Sequence, residues 1–177
     1  VYAVLKNTGS ERLPIRSVQM TVLGTNGNTL HQENYVSYMP SVVEPGETML
    51  VSEWMYDFVK EIDKVHSIQI SVETASRVNE KWKQLGDVRA WLDGDYLCVE
   101  FTNTSEKTLF GVICAATVSD ANGQILDMMM QSPYDTDDLG IAQGSSIVWR
   151  KRLEDAATLK IGTDAVCKAW AYRMEDL

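Results

Sequence analysis

Apolar and polar residues alternate with a period of two through much of the chain. Val18, Met20 and Val22 alternate with Ser17, Gln19 and Thr21, and Cys114, Ala116 and Val118 occupy the same kind of face later on. A period of two is the signature of a half-buried β-strand. Asn26-Gly27 and Asn122-Gly123 follow these two runs. Both residue types tolerate positive φ, as a type I′ hairpin turn requires, and Leu30 and Leu126 then begin the return strands. Pro45-Gly46 is a type II turn signal ahead of Met49-Leu50-Val51-Ser52, and Gln143-Gly144 stands in the same relation to Ile147-Val148-Trp149. The last long strands are expected around Ile68 to Val72 and from Val166 to Tyr172. Helical signals are confined to Asp57–Asp63 and Arg152–Ala157, each a short crossover of about two turns at most. Short strands punctuated by turns predict an all-β, antiparallel sandwich with at most short helical crossovers.

The pattern repeats. Asn7-Thr8 aligns with Asn103-Thr104 at an offset of 96, and the same offset carries Leu13 onto Leu109, Thr21-Val22 onto Thr117-Val118, Asn26-Gly27 onto Asn122-Gly123 and Leu30 onto Leu126. That is eight identities in 26 positions, where average usage gives roughly one or two. After a two-residue insertion, Val43-Glu44-Pro45-Gly46 meets Ile141-Ala142-Gln143-Gly144 at an offset of 98. Two tandem sandwich domains are therefore expected, over residues 1–86 and 87–177, joined by a short semi-rigid link near Gln84-Leu85-Gly86-Asp87. The second copy has a leading strand, Val88 to Leu92, before the Asp93-Gly94-Asp95 turn, and the first copy begins inside the equivalent of the strand that follows. An N-terminal strand of the first copy is thus missing from the segment, and an anchor or export signal is expected upstream of Val1.

Charge changes the list of partners. The 177 residues carry 16 Lys+Arg against 25 Asp+Glu, net −9. Residues 1–86 hold 8 basic and 10 acidic side chains, and residues 87–177 hold 8 and 15. An acidic chain without clustered Lys and Arg is not a nucleic-acid binder, because that affinity depends on cations set against phosphates. No stretch approaches about 18 uninterrupted apolar residues, so no membrane span is expected in this segment.

Candidate chemistry is sparse. Only two histidines are present, and no GxSxG, HExxH or glycine-rich phosphate loop occurs, which points away from an enzyme. Asp93 and Asp95 sit in a tight turn, where turn-making accounts for them. Cys98, Cys114 and Cys167 all fall in the second copy. Parity turns Cys98 away from the face of Leu97, Val99 and Phe101, whereas Cys114 points inward and Cys167 aligns with Ile68. A Cys114–Cys167 bridge competes with small buried thiols, and the cysteine-free first copy favours the thiols. Asp135, Asp137 and Asp138 share one loop, a composition that suits Ca²⁺. Leu139 and Ser146, however, stand where an EF-hand-like loop needs ligands, so a solvated loop is the favoured reading. Five tryptophans are many for this length. Trp82 and Trp91 flank the junction, and Tyr134 lies in a loop. These aromatics either pack the domains together or stack on a sugar or a partner's apolar surface. Of Met128, Met129 and Met130, at least one is expected on the surface.

The order Asn7-Thr8-Gly9, alternating strand, Asn26-Gly27, strand, Pro45-Gly46-Glu47-Thr48, repeated as Asn103-Thr104-Ser105, Asn122-Gly123 and Gln143-Gly144-Ser145, resembles the FxLYD-type and related Ig-like modules of bacterial cell-surface and secreted proteins. The resemblance implies two Ig-like domains, an extracytoplasmic location, and a non-catalytic structural or interaction role toward a protein or glycan, with no catalytic residues. The alternative is a soluble binder of sugar or Ca²⁺ that uses the junction aromatics or the acidic loop.

Overall fold

The computed structural model describes residues 1–54, 63–76, 81–131, 140–154 and 161–175. Their regular structure is fourteen strands: β1 (Tyr2–Lys6), β2 (Leu13–Gly24), β3 (Thr29–Glu33), β4 (Ser37–Met39), β5 (Val42–Val43), β6 (Thr48–Ser52), β7 (Val65–Thr74), β8 (Lys81–Leu85), β9 (Val88–Asp93), β10 (Tyr96–Thr102), β11 (Val112–Ser119), β12 (Ile125–Met130), β13 (Ser146–Arg152) and β14 (Val166–Glu175). Every pairing among them is antiparallel. The fold is all-β and sandwich-like. The two short helical expectations fall mainly on residues 55–62 and 155–160, outside the described residues; Arg152 closes β13 and Leu153 is buried.

The chain divides into two compact units, Val1–Glu80 and Lys81–Leu177. The division falls six residues ahead of the 86/87 junction read from the sequence. The reason is β8: it pairs with β14 from Leu85↔Ala171 to Lys81↔Glu175, and so belongs to the second unit.

In the first unit one sheet runs β1-β6-β4, and the other is built around β2, which pairs with β3, β5 and β7. Ile15, Val18 and Met20 of β2 meet Met49 and Val51 of β6 in the core between them, with Ala3 and Leu5 of β1 packed against it. The register slips between Ile15 and Ser17. An extra residue in a strand reverses the inside-outside parity, so Ile15 and Val18 both reach the core. In the second unit the sheets run β13-β10-β9 and β12-β11-β14-β8. Leu97, Val99 and Phe101 of β10 face Cys114, Ala116 and Val118 of β11. Each fully buried Leu, Val or Phe among them contributes roughly 1.5–3 kcal/mol.

The sequence repeat reappears as repeated hydrogen bonds. The buried Asn7 amide donates to Glu11 O (2.8 Å) and Val43 O (3.0 Å), and its Oδ1 accepts from the Gly9 N–H (3.0 Å). The buried Asn103 amide donates to Lys107 O (2.7 Å) and Ile141 O (2.7 Å) and accepts from the Ser105 N–H (3.0 Å). Every partner is displaced by 96 or 98, as the insertion demands. The backbone follows suit: Asn7 bonds Glu47 and Gly46, and Asn103 bonds Ser145 and Gly144. The Leu13↔Val43 pairing recurs as Leu109↔Ile141. One asparagine per copy thus ties the start of the long strand to the type II turn. Gly46 (φ 83°) and Gly144 (φ 72°) adopt the positive φ that this turn needs.

Three expectations are corrected. The Asn-Gly hairpins are not type I′. Gly27 (φ 74°) and Gly123 (φ 82°) have positive φ while Asn26 and Asn122 do not, and the turn-closing bonds run from the N–H of residue i+3 to the C=O of residue i, Gly27 N–H to Gly24 O and Gly123 N–H to Asp120 O. Each is a type I turn followed by a left-handed glycine, with the bulge it generates at Val22/Leu23 and Val118/Ser119. Second, β11 is buried on both faces along its whole length, so its alternation does not mark a wet side. Third, Met128 (4% exposed) and Met129 (8%) are both buried and Met130 is half-buried, so none of the three is a surface patch.

The three cysteines are free thiols. Cys114 sits opposite Ala171 and Cys167 opposite Val118, four strand positions away, so the two do not bridge. The wholly buried Asp127 ties the second unit's sheets together. Its Oδ1 accepts from Lys151 Nζ (2.7 Å) and the Met128 N–H (2.7 Å), and its Oδ2 accepts from the Glu154 N–H (3.1 Å).

Candidate functional site

The outward face of the β13-β10-β9 sheet gathers the side chains best suited to recognition. Alternation decides which residues reach it. Val88, Ala90 and Leu92, Leu97, Val99 and Phe101, and Ile147 and Trp149 all turn into the core. Their neighbours therefore point out, in rows set by the register: Trp91, Cys98 and Arg150; Arg89, Glu100 and Val148; Asp93, Tyr96 and Arg152.

Two arginine–aromatic stacks cross this face. The Arg89 guanidinium lies 5.3 Å from the centre of the Trp91 ring, and that of Arg150 lies 5.2 Å from the Tyr96 ring. Arg89 also pairs with Glu100. Arg150 and Arg152 make no ion pair among the described residues. Val148 is 50% exposed and Tyr96 38%. Beneath the stacks Cys98 is buried, and burial pushes its thiol up, reinforced by Asp93 and opposed by Arg150. A buried neutral thiol is a packing group and a poor nucleophile.

A shallow, open depression of about 320 Å³ continues the face at one end, lined by Asp87, Val88, Arg89, Glu100, Thr102 and Thr104. Thr104 Oγ1 donates to Asp87 Oδ2 (2.6 Å) and so fixes its rim. Asp87 itself holds φ 53°, which turns the chain from β8 of one sheet into β9 of the other. The chemistry on offer is stacking, apolar contact and guanidinium donors for acidic groups. Arginine and large aromatics dominate the energetically important centres of protein interfaces.

The structure separates the sequence-level candidates. Trp82 and Trp91 do not form one aromatic site: Trp82 is buried on β8 opposite Met174, and Trp91 is half-buried on β9 opposite Cys98, in the other sheet. Tyr134, Asp135, Asp137 and Asp138 lie outside the described residues. No group of three or more His, Cys, Asp or Glu that could hold a metal ion occurs among the described residues. Arg150 and Arg152 escaped the sequence reading: their period-two spacing puts both on one face of β13, but only the pairing with β10 sets them opposite Cys98 and Tyr96.

A comparison with protein-family models finds no match, and a search of curated proteins finds no significant relative.

Proposed function

We propose that the chain is a non-catalytic interaction module. It presents the outward face of β9, β10 and β13 to a protein or glycan partner that carries acidic groups. The observation behind this reading is the pair of arginine–aromatic stacks on one exposed sheet face, beside two guanidiniums with no ion pair among the described residues. The buried polar groups Asn7, Asn103 and Asp127 support a scaffold role, since their hydrogen bonds are spent on turns and on joining sheets. The likeness to FxLYD-type and related Ig-like modules extends the proposal to a bacterial surface or secreted protein working outside the cytoplasm.

The test is an array of acidic peptides and of sulfated or uronic-acid glycans, each beside its neutral analogue. Acidic members should be retained, with binding weakened by salt and reduced about tenfold or more in Trp91→Ala and in the double variant Arg150→Ala/Arg152→Ala. Equal retention of neutral analogues, or binding indifferent to these substitutions, refutes the reading.

A further inference from the structure

Two buried side-chain atoms lack a hydrogen-bond partner among the described residues, Gln131 Oε1 and Arg173 Nε, and both belong to the second unit. Register places them at one end of the β12-β11-β14-β8 sheet. Arg173 stands opposite Val112 on one side and Lys83 on the other. Directly opposite residues share a face, and Val112 belongs to the core. Arg173 and Lys83 therefore lie on the core-facing side of the sheet, one row beyond Cys114, Ala171 and Leu85. Gln131 is on that side too. Its N–H bonds Cys114 O (3.1 Å) and continues the Met130↔Ala115 register, which sets it in the row of Cys114.

Charge sets the Arg173 row apart. Opposite side chains start about 4.5–5.5 Å apart at Cβ, and like charges there repel. Neither Arg173 nor Lys83 makes an ion pair among the described residues. The next pair outward, Lys81↔Glu175, has one charge of each sign and leaves the balance unaltered. The first unit fills the equivalent row differently. Arg16 holds the place of Val112 at the offset of 96, and its guanidinium pairs with Glu73 of β7 (3.1 Å). Where the first unit sets an acid against a base, the second sets two bases side by side, one of them with a buried N–H unpaired. Such a group is costly to leave unsatisfied and marks a place where a further partner belongs.

We propose that Arg173 and Lys83 form an anion site that takes a phosphate group. Two uncompensated positive charges match a doubly charged ligand, which favours phosphate over a carboxylate. The guanidinium fork, its Nε–H included, donates to two oxygens, and the Lys83 ammonium meets a third as a point charge. Lys83 is exposed and Arg173 half-buried, so the ammonium can adjust to the ligand while the guanidinium is held. The site belongs to a different sheet from the arginine–aromatic stacks and does not depend on them.

The experiment titrates the full 177-residue chain with sodium phosphate at about pH 8, where a phosphate group is close to doubly charged. Phosphate replaces sodium chloride at constant ionic strength, and the Arg173 Nε–H and the Val112 and Lys83 amides are followed by heteronuclear NMR. The shift should saturate and be largest at the Arg173 Nε–H. Acetate should bind about tenfold more weakly or worse, and Lys83→Gln should weaken phosphate binding about tenfold or more. Lys6→Gln, in the first unit, should change nothing. Phosphoserine amide tells the two sources of the group apart: tighter binding than inorganic phosphate assigns the site to a monoester, weaker binding to the free ion, and either bears out the shared chemistry. Three results overturn the proposal: a shift that grows linearly without saturating, equal binding of acetate and phosphate, or binding indifferent to Lys83→Gln. Arg173→Gln should abolish the response. If that variant unfolds, Lys83→Gln, at an exposed position, still decides the matter.

Discussion

Burial pushes the Cys114 thiol up to about 12, from 9.0 in an unfolded chain. Below pH 9 the thiol is neutral in both states, and its contribution to stability is fully present. Between 9 and 12 the unfolded chain has lost a proton that the folded chain keeps, so stability falls by up to about 1.4 kcal/mol per pH unit. Cys98 and Cys167 are shifted in the same direction, burial being the first cause for each, and steepen the loss. Urea midpoints between pH 8 and 10.5 should therefore decline more steeply for the natural chain than for Cys114→Ala. That variant starts lower, because of its cavity, but follows a flatter slope. Parallel slopes would contradict the assignment. The residue scale also shows where alternation misleads: Cys98 faces outward by parity yet is buried, because the Trp91 and Arg150 positions flank it across the sheet.

At the scale of elements, β8 and β9 differ in what they ask of tryptophan. Trp82 on β8 is 8% exposed, and truncating a buried Trp typically costs about 3–5 kcal/mol. Trp91 on β9 is half-buried on an outward face under the Arg89 guanidinium. Trp82→Ala should lower the urea midpoint of the full chain strongly, and Trp91→Ala should cost about 1 kcal/mol or less. Comparable losses would mean that Trp91 is a core residue, and its proposed binding role would fall with that result. The strand around Trp91 and the turn after it were legible in the sequence because turn glycines and period-two alternation are local signals. The sheet to which β8 belongs was not. Lys81–Leu85 looks like a linker when read alone, and only the free edge of β14 makes it a strand.

For the molecule as a whole, the duplicated asparagine is the strongest link between sequence and fold. Asn7→Ala strands the buried Val43 carbonyl and Asn103→Ala the buried Ile141 carbonyl, and each also removes part-buried bonds to a second carbonyl and from an N–H, at an expected cost of about 1–3 kcal/mol. The damage should be local. Hydrogen exchange should quicken in β1 and β6 for Asn7→Ala, and in β10 and β13 for Asn103→Ala. Loss of protection in both units from either substitution would show that they open as one.

The chain's own letters determined most of the strands, the type II turns and the inward faces of β2 and β10, since each follows from residue type and spacing within about a dozen positions, and also the repeat with its 96-to-98 step, which follows from matching the two halves letter by letter. The tertiary structure alone decided which sheet each edge strand joins, that β11 is covered on both faces, that Trp82 is buried while Trp91 is presented, and that two arginines from β13 stand beside Tyr96. Those outcomes depend on pairing between segments up to about ninety residues apart, and burial there depends on what lies across the sheet, a quantity no local pattern contains.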